Sequence, residues 1–110
     1  MDYIIVKKDK INVKINMIDI LYIGTIENRP RVLEFVTDKE TYQSYGKLKA
    51  IEDRTTLTFK RCHKKYLVNL RRVEAIDSLN RQMIFDNHQI EPIECSRRHM
   101  TDVLREWKNL

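Results

Sequence analysis

The 110-residue sequence predicts a mainly β domain, a sandwich or barrel of short strands with one short internal helix and one C-terminal helix. Three observations predict it. "KINVKINM" puts Ile11, Val13, Ile15 and Met17 on one face and Lys14 and Asn16 on the other, the period of a half-buried strand. Short runs rich in β-branched and aromatic residues recur along the chain, separated by polar turn-like stretches. Helical spacing occurs only in "SYGKLKAIEDR" and in the run that ends the sequence.

In chain order, "DYIIV" is the expected partner of "KINVKINM". "DILYIG" and "RVLEFVT" form a hairpin whose connection is a longish loop around Asn28 to Arg31. Tyr45, Leu48 and Ile51 then recur at helical spacing, with Ser44 as the expected N-cap. "TLTFKRC" alternates Leu57 and Phe59 inward against Thr58 and Lys60, a strand. "VEAID" and "RQMIF" are two more. Asp86 and Asn87 supply a turn, and the last strand, interrupted by Pro92, belongs at a sheet edge. Met100, Val103, Leu104 and Trp107 form the apolar stripe of the terminal helix, and Ser96 stands where its N-cap belongs.

No linker, low-complexity tract or internal repeat divides the chain, so residues 1–110 read as a single domain. Hydrophobic residues make up 42% and charged residues 34%, a globular composition with a heavily charged surface. The net charge of +5 favours polyanionic or acidic partners without saying anything about fold. Two distant cysteines, Cys62 and Cys95, are too few for a disulfide framework, and their reduced state fits a cytoplasmic protein. The N-terminus lacks the pattern of a signal peptide, and no apolar run is long enough to span a bilayer.

Enzymatic chemistry is not expected. A nucleophilic Cys62 needs a base within reach, and His63, its neighbour on a strand, points to the opposite face. Cys62, His63, His88, Cys95 and His99 match no structural zinc spacing, so neither a metal nor another cofactor is expected; the cysteines read as small core residues. The basic residues are more informative. They gather at Arg29 and Arg31, in "FKRCHKKYLVNLRR", and at Arg97-Arg98-His99. A single charge run is ordinarily a solvated face. Arg97 and Arg98 resist that reading, because the positive end of a helix dipole disfavours cations by about 0.3–1 kcal/mol each. Free amides, a serine and two guanidinium forks at a helix start make a phosphate site. "KRCHKK", held between apolar "TLTF" and "YLVNL", reads as a rigid surface bend whose His63 and Lys64 can meet phosphates and base edges. Asn69 either shares that role or satisfies local backbone groups.

"FKRCHKKYLVNLRRVEAID", followed by "ECSRRHMTDVL", resembles the LytTR family of bacterial DNA-binding domains, as do "MIDILYIG" and "YGKLKAIED". The resemblance runs from about "DYIIV" to Trp107. It implies small antiparallel sheets stacked in an elongated sandwich or barrel-like arrangement, with short helices. It implies an output domain of response regulators in two-component systems, binding duplex DNA at promoter repeats through loops, as a homodimer on DNA. The family's contacts fall on the loop at Arg29 to Arg31, the His63-Lys64 bend and Arg97. The chain departs from the family at Pro30, where a histidine is common, so that Arg31 or Arg29 takes that contact. It also departs at Lys65, where serine is common, and at Asn87-His88, in place of an Asn-Gly turn. The residues include no receiver domain, which leaves open a cut-out output domain or a free-standing regulator.

The expected function is therefore sequence-specific binding of double-stranded DNA in a transcriptional regulator, with three loops entering successive grooves. Arg29, Arg31, His63, Lys64 and Arg97 are the central contacts. Lys60, Lys65, Arg71 and Arg98 add phosphate attraction. The alternative is a basic protein-interaction or RNA-binding module without sequence-specific readout.

Overall fold

The computed structural model describes residues 3–56 and 58–110 and places in them ten strands and two α-helices. Strands β1 (Tyr3–Lys8) and β2 (Ile11–Asn16) form a separate antiparallel ribbon. Strands β3 (Ile20–Ile26), β4 (Arg29–Thr37), β5 (Thr41–Tyr45), β6 (Phe59–His63) and β7 (Tyr66–Asn69) make a five-stranded antiparallel sheet in the order β5-β4-β3-β7-β6. Strands β8 (Val73–Asp77), β9 (Gln82–Phe85) and β10 (Ile93–Glu94) make a three-stranded sheet. Helix α1 (Leu48–Arg54) leads into β6, and α2 (Arg97–Lys108) ends the chain. The domain is elongated, 42 × 26 × 25 Å, as the mainly β prediction of small stacked sheets requires. No described helix is long and apolar enough to cross a membrane.

The five-stranded sheet is covered on both faces. One core cluster joins Ile23, Phe35, Phe59 and Leu67 to Ile4, Val6 and Ile15 of the ribbon and to Leu48 and Ile51 of α1. The other joins Leu21, Cys62 and Val68 to Val73, Met83, Phe85 and Ile93 of the smaller sheet and Val103 of α2. Consecutive residues of β7 therefore enter different cores, which is why "YLV" is a continuous apolar run while the half-solvated β2 alternates. Ile15 is buried, Val13 half-buried and Ile11 exposed, so the predicted apolar face of β2 is covered only toward its end.

Two expectations are corrected. Ser44 is not a helix cap: "TYQSY" is strand β5, paired to β4 through Val32–Tyr45 and Phe35–Tyr42, and α1 begins at Leu48 after Lys47. Tyr45 shares the helical spacing of Leu48 and Ile51 by coincidence, and its ring is 83% exposed. The hairpin connection is also not a long loop. Ile26 pairs with Arg29 across a tight turn at Glu27-Asn28, and Asn28 takes the left-handed conformation (φ 66°) that such turns need. Arg29, Pro30 and Arg31 thus open β4, where a register shift disturbs the pairing. The strand expected from "TLTFKRC" begins at Phe59, and Leu57 lies outside the described residues.

Asn69 is 1% exposed and satisfies backbone, which removes it from the surface. Its Nδ2 donates to the carbonyls of Met17 (3.3 Å) and Ile20 (3.0 Å), and its Oδ1 accepts from the Arg71 amide at 3.1 Å. Replacing it with leucine leaves those buried groups unpaired. Asn69→Leu is expected to lower the unfolding free energy by about 2–3 kcal/mol in a denaturant titration.

Candidate nucleic-acid interface

Strand register brings the three basic places to one end of the five-stranded sheet. Gly24 of β3 lies opposite Tyr66 of β7, so the β3–β4 turn and the β6–β7 turn at Lys64-Lys65 project from the same edge. The Thr25 amide donates to the Lys65 carbonyl at 3.0 Å and ties the two turns together. A Cβ on Gly24 would stand 3.1 Å from the Tyr66 ring, so glycine lets that ring lie close against β3. The Ser96 amide donates to the Cys62 carbonyl at 2.8 Å, which fixes the start of α2 beside the end of β6.

The β6–β7 turn is held by His63 and by Arg61, which the sequence did not mark as a contact residue. Arg61 donates through Nε and Nη2 to Glu52 of α1 (3.1 and 2.9 Å) and through Nη1 to the Lys64 carbonyl (2.9 Å). His63 Nδ1 accepts from the Lys65 amide at 3.1 Å, which leaves Nε2 as the free ring nitrogen. Lys64 and Lys65 are exposed and form no ion pair among the described residues. The signal for Arg61 was the acid-free run itself, but only the fold shows that one of its cations is spent on Glu52.

Cys62 and Cys95 are both fully buried and meet beneath this surface. The neighbouring Cys95 thiol and burial raise the Cys62 thiol far above its ordinary range, which keeps it protonated. Cys62 turns into the core while His63 and the lysines stay at the surface. Among the described residues no group of three or more His, Cys, Asp or Glu side chains could hold a metal.

At α2, Arg97 and Arg98 occupy the first turn, exposed, with no acid in that turn and no ion pair among the described residues. Ser96 has the backbone of an N-cap, but its side chain accepts no capping hydrogen bond. Its hydroxyl meets His99 Nδ1 at 2.7 Å instead. Burial lowers the His99 pKa, and the charges of Arg98 and Arg61 lower it further. The His99 amide donates to the Ser96 carbonyl at 3.1 Å, while the Arg97 and Arg98 amides lack a side-chain cap and lie beside two guanidinium groups, a ready environment for a phosphate.

A family model described as the LytTr DNA-binding domain matches residues 10–108. The chain belongs to the LytTR family. The fold agrees with a solved LytTr DNA-binding domain assigned to a methyl-accepting/DNA response regulator of Bacillus cereus. The TM-score is 0.78 at 16% identity, over 100% of this chain and 99% of that one. No curated protein matches.

The other basic residues of this LytTR domain are spread more widely. Arg29 sits at the shared edge and donates to Gln43 of β5 at 2.8 Å, while the Arg31 carbonyl accepts from the Gly46 amide at 3.0 Å. Lys60 lies 3.9 Å from Glu106 of α2. Arg71 is exposed in the 3-10 turn after β7, past the opposite end of that strand from Lys64 and Lys65.

Proposed function

We propose that this LytTR domain binds double-stranded DNA sequence-specifically as part of a bacterial transcriptional regulator, gripping it by its three basic segments. The observation that carries this reading is their gathering at one end of the five-stranded sheet, fastened by the Thr25–Lys65 and Ser96–Cys62 backbone bonds. Arg97, with Arg31 or Arg29, reads base edges or forks onto phosphates, and His63 with Lys64 makes the central contact. Arg98 and Lys65 add phosphate attraction from the same edge, and Lys60 and Arg71 contribute more distant positive charge. In this reading the chain serves as the output of a response regulator in the cytoplasm, and two copies bind promoter repeats, as the family resemblance implies.

The test is selection of preferred duplexes from a random pool, followed by competition at two salt concentrations. The expected result is a preferred duplex that outcompetes random DNA by at least 10³-fold, with affinity falling steeply as salt rises. Equal affinity for all duplexes contradicts the proposal and favours a basic module for RNA or an acidic protein.

A further inference from the structure

A second basic surface adjoins the first. The β1–β2 ribbon packs beside β5, and between them runs an open groove of about 870 Å³. Its lining includes Lys7, Lys8 and Lys10 from the hairpin tip, Arg29 from the start of β4, and Tyr45 from the end of β5. Among the described residues, Asp9 is the only acid in the lining. Arg29 belongs to both surfaces, so the groove continues directly from the β3–β4 turn.

The tip is built to stay in place. Asp9 and Lys10 take positive φ values of 51° and 69°, the pair required by a two-residue type I′ turn, whose twist matches the flanking strands. Lys8 is committed, since it pairs with Glu40 and lies 5.5 Å from the centre of the Tyr42 ring. Lys7 and Lys10 are exposed and form no ion pair among the described residues. Tyr45, on the edge strand, offers an exposed ring and hydroxyl at the groove's rim.

We infer that the β1–β2 hairpin tip and the groove beside β5 hold the phosphate backbone of duplex DNA flanking the three-segment contact, through Lys7, Lys10 and Arg29 with Tyr45. This rests on the DNA-binding reading above and extends its footprint. Its cations come from two separate elements, the hairpin tip and the start of β4, so it suits an extended polyanion rather than a single free anion. Its contacts are with phosphates, which position the duplex without reading its sequence.

The test is the double variant Lys7→Gln/Lys10→Gln against the parent, with thermal melting to verify the fold. Both bind the pool-selected duplex from 50 to 200 mM salt, at full length and with each flank shortened stepwise. The variant is expected to bind the long duplex roughly tenfold more weakly, with the salt slope shallower by about 1–2, and to keep the parent's sequence preference. Shortening one flank should weaken the parent equally and leave the variant unchanged. A variant that matches the parent in affinity and slope on every duplex overturns the inference alone, and leaves the groove to an acidic peptide. If the parent itself prefers no duplex, the DNA-binding reading fails and this inference with it.

Discussion

Arg72→Ala is expected to be among the most destabilising surface substitutions in the domain, lowering the unfolding free energy by about 2–3 kcal/mol and Tm by roughly 10 °C or more. The Arg72 guanidinium clasps three segments. It donates to Asp86 (2.8–3.0 Å), to both oxygens of Asp38 (2.8 and 3.0 Å) and to the Ile18 carbonyl (3.0 Å). These contacts tie the two larger sheets together where Asp38 follows β4, the end remote from the basic turns. The Arg72 side chain is only 15% exposed, so its hydrogen bonds are shielded; Asp38 and Asp86, at 38% and 42%, regain water when it is lost, which keeps the effect below that of a fully buried pair. A pH series adds a second readout. The hydrogen bond from Arg72 holds the Asp38 carboxyl below its ordinary range. Its stabilising contribution is therefore present above about pH 4, its unfolded value, and is lost as pH falls through the lower folded value. In Arg72→Ala that acid-side loss should shrink, while the preference among DNA duplexes stays that of the parent.

Arg97→Ala should have the opposite signature: the same melting curve, and DNA binding weaker by about 1–3 kcal/mol, or roughly fivefold to more than a hundredfold. Arg97 is exposed and takes part in no ion pair among the described residues, so the fold does not depend on it. Removing a cation from the first turn of α2 even relieves an unfavourable interaction with the helix dipole. If Arg97 reads a base, the loss falls on the preferred duplex and the ratio to random DNA collapses. If it holds only phosphate, both affinities drop alike and the salt slope falls by about 1. Unchanged binding to the preferred duplex removes Arg97 from the interface.

Much of the fold was legible because its strands carry their environment in their pattern. Alternation identified β2, and the Met100–Trp107 stripe identified α2, whose Trp107 Nε1 donates to the Val73 carbonyl at 2.9 Å. Strand β5 was hidden because Tyr45 mimics helical spacing and the short connection from β4, Asp38 to Glu40, carries no glycine or proline to mark a hairpin. The turn at Glu27-Asn28 was hidden because Pro30 and two arginines resemble a loop, although Asn28 is the residue that tolerates the left-handed backbone. For the candidate site, the sequence marked where charge accumulates but not which charges are free. Arg61, Arg72 and Lys60 look alike in one basic run, yet the first holds a turn, the second clasps two sheets and the third faces Glu106. Those differences depend on partners 9 to 46 residues away, such as Glu52 for Arg61 and Glu106 for Lys60. Only tertiary structure brings them together.

The most direct measurement is a two-dimensional amide NMR titration of the isotopically labelled chain with its pool-selected duplex. The prediction is that shifts concentrate at residues 27–31, 63–65 and 96–99, with a weaker group at the β1–β2 tip that appears only with long duplexes. Residues 71–72 and 78–81 should stay nearly unmoved. Shifts centred on that second group, or scattered without a focus at the three basic segments, would contradict a DNA grip built from Arg29–Arg31, His63–Lys65 and Arg97–Arg98.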